Sequence, residues 1–323
     1  SQLASSSQGY SSHAQTSIHQ GRIKTHLSTA QKGGFMSLLA ELMSVDLFNL
    51  IGLLSIVFIG LPHGAMDGAL AIHLGWMNRP IKAAIFLLAY VGLATVVVGL
   101  WLIAPTVGFL MFLAISMFHF GRGDIVPRAK EHQLAEVLMR GGLVLAGISL
   151  FHRSEVDSIF EVLIGSDTEI VWLFLQAVGV LTIVLIPYVI ISKSKQERTA
   201  SSIEVIGLLA LFAIAPPLLG FAIYFCGVHS VRHFKHMGTM LKSTLQQFQV
   251  TRTTVIFSLM TWAVGLLMLA NQSASIGLEP ALLQVIFIGL AALTVPHMIL
   301  VDGLAKHESP LHHSQGLNQD TIR

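Results

Sequence analysis

Residues 82–103 read KAAIFLLAYVGLATVVVGLWLI, a stretch whose only charged side chain is Lys82. As one helix it is long enough to cross the roughly 30 Å hydrocarbon core of a bilayer. The whole chain shares this character, because 53% of its 323 residues are hydrophobic, 11% are charged and the mean hydropathy is +0.71. Soluble domains carry about 25% charged residues. The composition therefore indicates an integral membrane protein.

Apolar stretches of similar length recur along the chain and are candidate membrane spans. They are residues 45–66, 82–103, 106–121, 134–151, 169–191, 202–215, 217–236, 253–271 and 281–302. Between two of them, Pro216 and Pro217 remove two backbone donors and predict a break. The segment VDSIFEVLIG (156–165) is too short to span and predicts an interfacial helix. The fold class predicted is an all-α polytopic transmembrane bundle of about eight or nine spanning helices in a single domain.

The two ends of the chain differ from the apolar middle. Residues 1–34 are rich in Ser, Gln and Gly and predict a disordered tail, and residues 306–323 predict a flexible C-terminal tail. The catalytic domain is then expected at 35–305. Histidines in the tails are interpreted as solvated rather than ligating: His13, His19, His26, His312 and His313. The single cysteine, Cys226, excludes a disulfide framework, and the net charge of +2 gives no support for nucleic-acid binding.

The basic residues of the connections predict an orientation. Cytoplasmic loops carry an excess of Lys and Arg. The connections that carry them contain Arg79, Lys82, Arg122, Arg128, Lys130, Lys193, Lys195, Arg198, Arg232, Lys235, Lys242, Arg252 and Lys306. They alternate with connections that have no net positive charge. The pattern predicts a multi-pass protein of the plasma membrane with an outside N-terminus and a cytoplasmic C-terminus.

Histidines cluster at one end of the predicted spans, near the cytoplasmic face. They are His63, His119, His229, His233 and His297. Imidazoles are costly in hydrocarbon unless they find partners, and one bound cation satisfies several rings at once. His229 and His233 are spaced i, i+4, so their rings leave one face of a helix. His236 lies further into the basic loop and is interpreted as solvated.

Four of these histidines form the predicted metal cage: His63, His119, His229 and His233. Imidazole nitrogen suits Fe, Cu or Zn and argues against Mg or Ca as the natural metal. Asp67 follows His63 by one helical turn and is predicted to orient a metal-bound histidine rather than to bind the metal. His297 is expected beside the metal.

The motifs GLPHGAMDGA, SMFHFGRGD, YFCGVHSVRHF and VIFIGLAALTVPHMILVD resemble those of the Brp/Blh family, membrane β-carotene 15,15′-dioxygenases that make retinal for rhodopsins. The resemblance runs from about residue 45 to 303. It implies cleavage of the central double bond of β-carotene by O₂ into two all-trans-retinal molecules at a non-haem Fe(II). The iron ligands it implies are His63, His119, His229 and His233. It also implies a rhodopsin as a possible acceptor of the product.

Such an enzyme takes its hydrocarbon substrate from the lipid bilayer and needs no haem, nicotinamide or flavin. The GRGD sequence at 121–124 lacks the strand context of a dinucleotide-binding loop. Aromatic and methionine side chains close to the histidines are candidate walls of a substrate tunnel. They are Tyr224, Phe118, Phe120, Phe225, Phe234, Met117 and Met298.

Three other functions fit parts of the pattern. A membrane di-iron desaturase or hydroxylase normally uses about eight histidines with adjacent pairs, and the only HH here is at 312–313. A haem-binding electron carrier needs two facing histidines and leaves the others unexplained. A metal transporter needs polar residues near the bilayer midplane, which the spans nearly lack.

Overall fold

The computed structural model describes residues 46–125, 132–241 and 245–304, and within them the fold is all-α, as predicted. The helices are α1 (Leu47–His73), α2 (Pro80–Ile103), α3 (Pro105–Asp124), α4 (Gln133–Phe151), α5 (Arg153–Ile164), α6 (Glu169–Ile191), α7 (Lys195–Ile214), α8 (Pro217–Tyr224), α9 (Ser230–Leu241), α10 (Gln247–Ile276) and α11 (Leu278–Met298). The predicted tails, 1–34 and 306–323, lie outside the described residues, and the predicted domain limits remain a prediction.

The number of membrane spans is smaller than the eight or nine expected. Among the described residues, seven helices are long and apolar enough to cross a bilayer: α1, α2, α3, α4, α6, α10 and the helix Leu278–Val301 that contains α11. The higher count is therefore not confirmed. Two predicted spans, 202–215 and 217–236, are helical but are not among the seven.

The composition of those two segments explains the difference. Helix α7 begins with KQER and also carries Glu204, which adds charge to a span-length helix. Helices α8 and α9 are joined through a wide turn, and α9 has the polar sequence SVRHFKH. The break predicted at the proline pair is confirmed, because α7 ends at Ile214 and α8 begins at Pro217. Proline is tolerated at the first helical position, where its missing donor is unused anyway.

Two glycines bring α3 and α4 into very close contact. A Cβ atom at Gly141 would lie 1.8 Å from the carbonyl oxygen of Met117, and one at Gly121 would lie 2.0 Å from the carbonyl oxygen of Val137. Small residues allow helix backbones to approach in this way inside a membrane. The contact fixes the position of His119, which lies on α3 between Met117 and Gly121.

Helix α1 packs against α8 by the same device. A Cβ atom at Gly52 would lie 2.9 Å from the backbone of Leu218, and one at Gly60 would overlap the ring of Phe225 at 2.3 Å. The second contact lies one turn before His63 and one turn before His229. It sets the spacing between two segments of the chain that both carry predicted ligands.

Helix α5 covers the bundle end at which α3 begins. Its C-terminal carbonyls accept hydrogen bonds from two spanning helices, Leu163 from Trp101 Nε1 at 3.1 Å and Val162 from Gln284 Nε2 at 2.8 Å. Hydrogen bonds from the Trp172 indole and the Thr168 hydroxyl hold the pKa of Asp157 below its usual range. The segment 156–165 is thus helical as predicted, and its place at the membrane interface remains a prediction.

Candidate metal centre

Three wide π-helical turns interrupt the bundle where the histidines lie. They are Ile56–Gly60, just before His63, then Phe225–His229, and finally Ile299–Leu304, just after His297. Wide turns of this kind are rare in proteins, and those that do occur often lie at functional sites. Each adds a residue to a helical turn, so the side chains after it point in directions a regular helix would not give them.

His63 lies in a 3-10 segment, Leu61–Met66, that directly follows the first wide turn. Its Nδ1 donates to the Gly60 carbonyl in a short hydrogen bond, and the Ser230 hydroxyl lies 3.3 Å from the same nitrogen. A proton fixed on Nδ1 leaves Nε2 as the nitrogen with a lone pair. The local backbone conformation therefore leaves Nε2 of His63 available to bind a metal ion.

The five membrane histidines converge on one buried cluster. Four of them are at most 8% exposed: His63, His229, His233 and His297. The centroid of the His63 ring lies 5.2 to 6.2 Å from the centroids of the other four rings. The remaining close pairs are His119 with His229 at 4.7 Å, His233 with His297 at 5.1 Å and His119 with His297 at 5.2 Å. The rings come from α1, α3, the α8–α9 connection, α9 and α11, so residues distant in the chain share one site.

Within this cluster, one nitrogen each from His63, His119 and His229 lies within 4.8 Å of the others. The Nε2 atoms of His119 and His229 are 3.1 Å apart. Three imidazole nitrogens that approach one another from separate segments of the chain fit the requirement of a transition-metal ion. His233 contributes a buried Nε2 that has no hydrogen-bond partner among the described residues, which suits a fourth ligand.

Asp67 contacts His297, the fifth imidazole of the cluster. His297 Nδ1 donates to Asp67 Oδ1 at 2.7 Å, and the Tyr90 hydroxyl donates to Asp67 Oδ2 at 2.8 Å. A carboxylate that accepts a ring proton fixes the tautomer and the orientation of an imidazole. The sequence predicted that Asp67 orients a metal-bound histidine. Its partner in the structure is His297, which lies 230 positions further along the chain and is not one of the four predicted ligands, so the predicted role remains a prediction.

Replacing Asp67 by Asn should weaken metal binding by about 10-fold at most and not abolish it, because Asp67 orients His297, which lies beside the predicted metal position and is not itself a predicted ligand. Titration of the purified protein with Fe(II) under anaerobic conditions measures this change. Asp157→Asn is the matched control, since the Asp157 carboxylate accepts hydrogen bonds from Thr168 and Trp172, on the α5 side of the fold. Equal affinity in the wild type and Asp67→Asn would contradict this role.

An apolar cavity opens beside the histidines. Its volume is small, about 40 Å³. The residues around it are Leu61, His63, Gly64, Phe112, Ser116, His119, Phe120, Phe221, Phe225, Leu290, Leu293, Thr294 and His297. Its lining is mainly apolar, with imidazoles on one side, which is the surface chemistry that suits contact with a hydrocarbon.

Only part of the predicted substrate wall lies on this cavity. Phe120 and Phe225 line it, as the sequence suggested. The remaining candidates are not among its lining residues: Met117, Phe118, Tyr224, Phe234 and Met298. Tyr224 is fully buried and donates its hydroxyl proton to Asp124, while Phe118 is 38% exposed on the outside of α3.

Sequence reasoning missed several lining residues on α3, α8 and α11. They are Phe112, Ser116, Phe221, Leu290, Leu293 and Thr294. Helical spacing could have indicated some of them, because Phe112 and Ser116 precede His119 by seven and three positions and therefore share its face. Thr294 precedes His297 by three positions, so the same helical spacing places it on the face of α11 that carries His297.

Fold and site together define a helical membrane protein with a buried histidine cluster, suited to binding a metal ion, beside an apolar cavity. Residues 54–305 match the family model described as "Beta-carotene 15,15'-dioxygenase". The chain belongs to this family, and its class is that of a carotenoid-cleaving dioxygenase.

Two curated relatives carry corresponding names. The chain is 33% identical over 268 residues to "Beta-carotene 15,15'-dioxygenase" of Uncultured marine bacterium 66A03, which covers 83% of this chain and 98% of the relative. It is 29% identical over 208 residues to "Probable beta-carotene 15,15'-dioxygenase Blh" of Halobacterium salinarum, covering 55% of this chain and 59% of that protein. No solved structure matches the chain significantly.

Proposed function

We propose that the protein cleaves the central 15,15′ double bond of β-carotene with O₂ and yields two molecules of all-trans-retinal. The observation that carries the proposal is the buried set of imidazole nitrogens from His63, His119 and His229 within 4.8 Å of one another, in which His63 and His119 also line an apolar cavity. The family to which the chain belongs supports the same reaction.

We propose Fe(II) as the metal and His63, His119, His229 and His233 as its ligands. When bound, iron would supply the redox-active Lewis acid that O₂ requires for reaction with an alkene. Four imidazoles leave up to two positions of an octahedral ion open. The protein's own part is to hold the rings in place, and the Nδ1 hydrogen bond of His63 to the Gly60 carbonyl fixes one of them.

The cavity walls would select the bond that reacts. The double bonds of a conjugated polyene resemble one another chemically, so their position along a channel must distinguish them. Aromatic and aliphatic side chains such as Phe112, Phe221 and Leu293 surround the space next to the histidines. They can hold the polyene by contact and exclude water from the reacting atoms.

We propose that the protein lies in the plasma membrane with its N-terminal side outside, its C-terminal side cytoplasmic and the metal near the cytoplasmic face. Basic connections support this orientation. Helices α7 and α8–α9 either both cross the bilayer or turn back together at Pro216, so that nine or seven helices span it. Both numbers are odd and lead to opposite sides for the two ends. The acceptor of the product would be a retinal-binding rhodopsin.

Expression in a bacterium that accumulates β-carotene tests the reaction. The colonies should bleach, and all-trans-retinal should appear in their extracts. With purified protein under ¹⁸O₂, and with aldehyde exchange controlled by a short reaction time, both retinal molecules should carry label. Retinal with one water-derived oxygen would instead indicate a monooxygenase.

Metal content separates the remaining alternatives. The proposal requires one iron per chain and no haem absorbance in the purified protein. Two irons per chain would favour a di-iron desaturase or hydroxylase. Metal-dependent flux into proteoliposomes without loss of β-carotene would favour a transporter and contradict the proposed function.

A further inference from the structure

Asp124, at the C-terminal end of α3, is a buried carboxylate next to the metal centre. It is 6% exposed and closes the sequence HFGRGD, which begins with the predicted ligand His119. The residue before it, Gly123, lets the ring of His229 approach the helix backbone, because a Cβ atom there would lie 2.7 Å from Cε1 of that ring. Asp124 and His229 are thereby brought together across two helices.

The carboxylate faces the nitrogen of His229 that points away from the cluster. Asp124 Oδ1 lies 3.6 Å from His229 Nδ1, and neither atom has a hydrogen-bond partner among the described residues. The other ring nitrogen, Nε2, faces His119 at 3.1 Å. Buried polar atoms without partners are costly, so a small closure that forms the Asp124–His229 hydrogen bond is favourable.

Neighbouring side chains hold the carboxylate in place. The Tyr224 hydroxyl donates to Asp124 Oδ2 at 2.8 Å, and Arg232 lies 3.3 Å from the same oxygen. Arg232 also pairs with Glu204 at 2.6 Å. The ion pairs continue through Arg140, Glu136 and Lys193, so that three cations face three carboxylates. A network of hydrogen bonds and ion pairs of this kind fixes a buried carboxylate in position.

We propose that Asp124 is a positioning residue for His229. It accepts the Nδ1 proton of His229 and so directs the Nε2 lone pair toward the metal. The inference rests on the proposed function, which makes His229 a ligand. It gives His229 the arrangement that His297 has with Asp67 and Tyr90, namely an imidazole on a buried aspartate that a tyrosine hydroxyl holds. Such partners commonly affect metal affinity by about 10–100-fold.

The test measures metal binding directly. Anaerobic titration of Asp124→Asn with Fe(II) should show affinity reduced by about 10–100-fold. Titration with Co(II) should show altered ligand-field bands, because the geometry at His229 changes. Asp124→Glu should recover part of the affinity, since it restores a carboxylate. Asp157→Asn, whose side chain has no contact with the centre, should match the wild type in both titrations.

A second variant covers the case in which Asp124→Asn does not fold. Tyr224→Phe removes only the hydroxyl that holds the carboxylate, and it should weaken Fe(II) binding and shift the Co(II) bands in the same direction. Wild-type affinity and spectrum in every variant that folds would overturn the inference. If the variants give that result while the wild-type protein binds iron and makes retinal, only the inference about Asp124 fails. If the wild-type protein does neither, the proposed function fails.

Discussion

Alanine at His229 should abolish both iron binding and retinal formation. The ring is buried in the cluster, with its Nε2 3.1 Å from that of His119 and its centroid 5.6 Å from that of His63. Loss of a ligand should exceed the effect of about 10–100-fold that its outer partners have, so we expect iron retention below detection. Iron analysis of the purified variant and retinal measurement in β-carotene-producing cells check the two results together.

His236→Ala is the matched control for this experiment. His236 lies on α9, like the proposed ligand His233, but its side chain is exposed. The control should keep full iron content and full retinal yield. A His229→Ala protein that retains one iron per chain and forms retinal at the wild-type rate would rule out His229 as a ligand.

Leucine at Gly141 should destabilise the protein by about 3 kcal/mol or more, the upper end of what overpacking costs. Its Cβ atom would lie 1.8 Å from the carbonyl oxygen of Met117, which is backbone and has no rotamer to change. The two helices must separate, and α3 carries His119. A lower thermal unfolding midpoint in detergent and a parallel loss of bound iron are the expected measurements.

Gly92→Leu gives the matching substitution at an open position. Gly92 is exposed on α2, and a Cβ atom there would meet nothing within 4 Å. This variant should unfold at the wild-type midpoint and keep its iron. Equal stability of Gly141→Leu and Gly92→Leu would show that the α3–α4 contact tolerates a side chain and would contradict the close packing of these two helices.

The sequence predicts the class of fold and the members of the cluster for simple physical reasons. Long apolar stretches in a chain with 11% charged residues require spanning helices, and the proline pair at 216–217 requires a break. Imidazoles at the ends of several predicted spans cost free energy to bury unless they share a partner, which favours a common cluster. The structure brings together His63, His119 and His229, which are separated by as many as 166 positions.

Other features depend on tertiary contacts that no local pattern specifies. The partner of Asp67 is His297, on another helix, and spacing alone cannot indicate it. In the sequence, GRGD (121–124) is recognisable only as a glycine-rich stretch that lacks the strand context of a dinucleotide-binding loop. In the fold, its glycines allow close helix contacts and its Asp124 faces His229. Hydropathy overestimates the number of spans because α7 and α9 are helical yet carry several charged or polar residues.

The wide turn Phe225–His229 has a consequence for the evolution of the site. An ordinary helix advances 100° per residue, so one additional residue rotates the chain before it by about that angle relative to the chain after it. Deleting one residue from Phe225–His229 would restore regular winding and swing Phe225 away from the cavity while His233 kept its place. The direction of Phe225 relative to the proposed ligand His233 thus depends on the number of residues between them. We therefore expect this segment to tolerate substitutions far better than insertions or deletions.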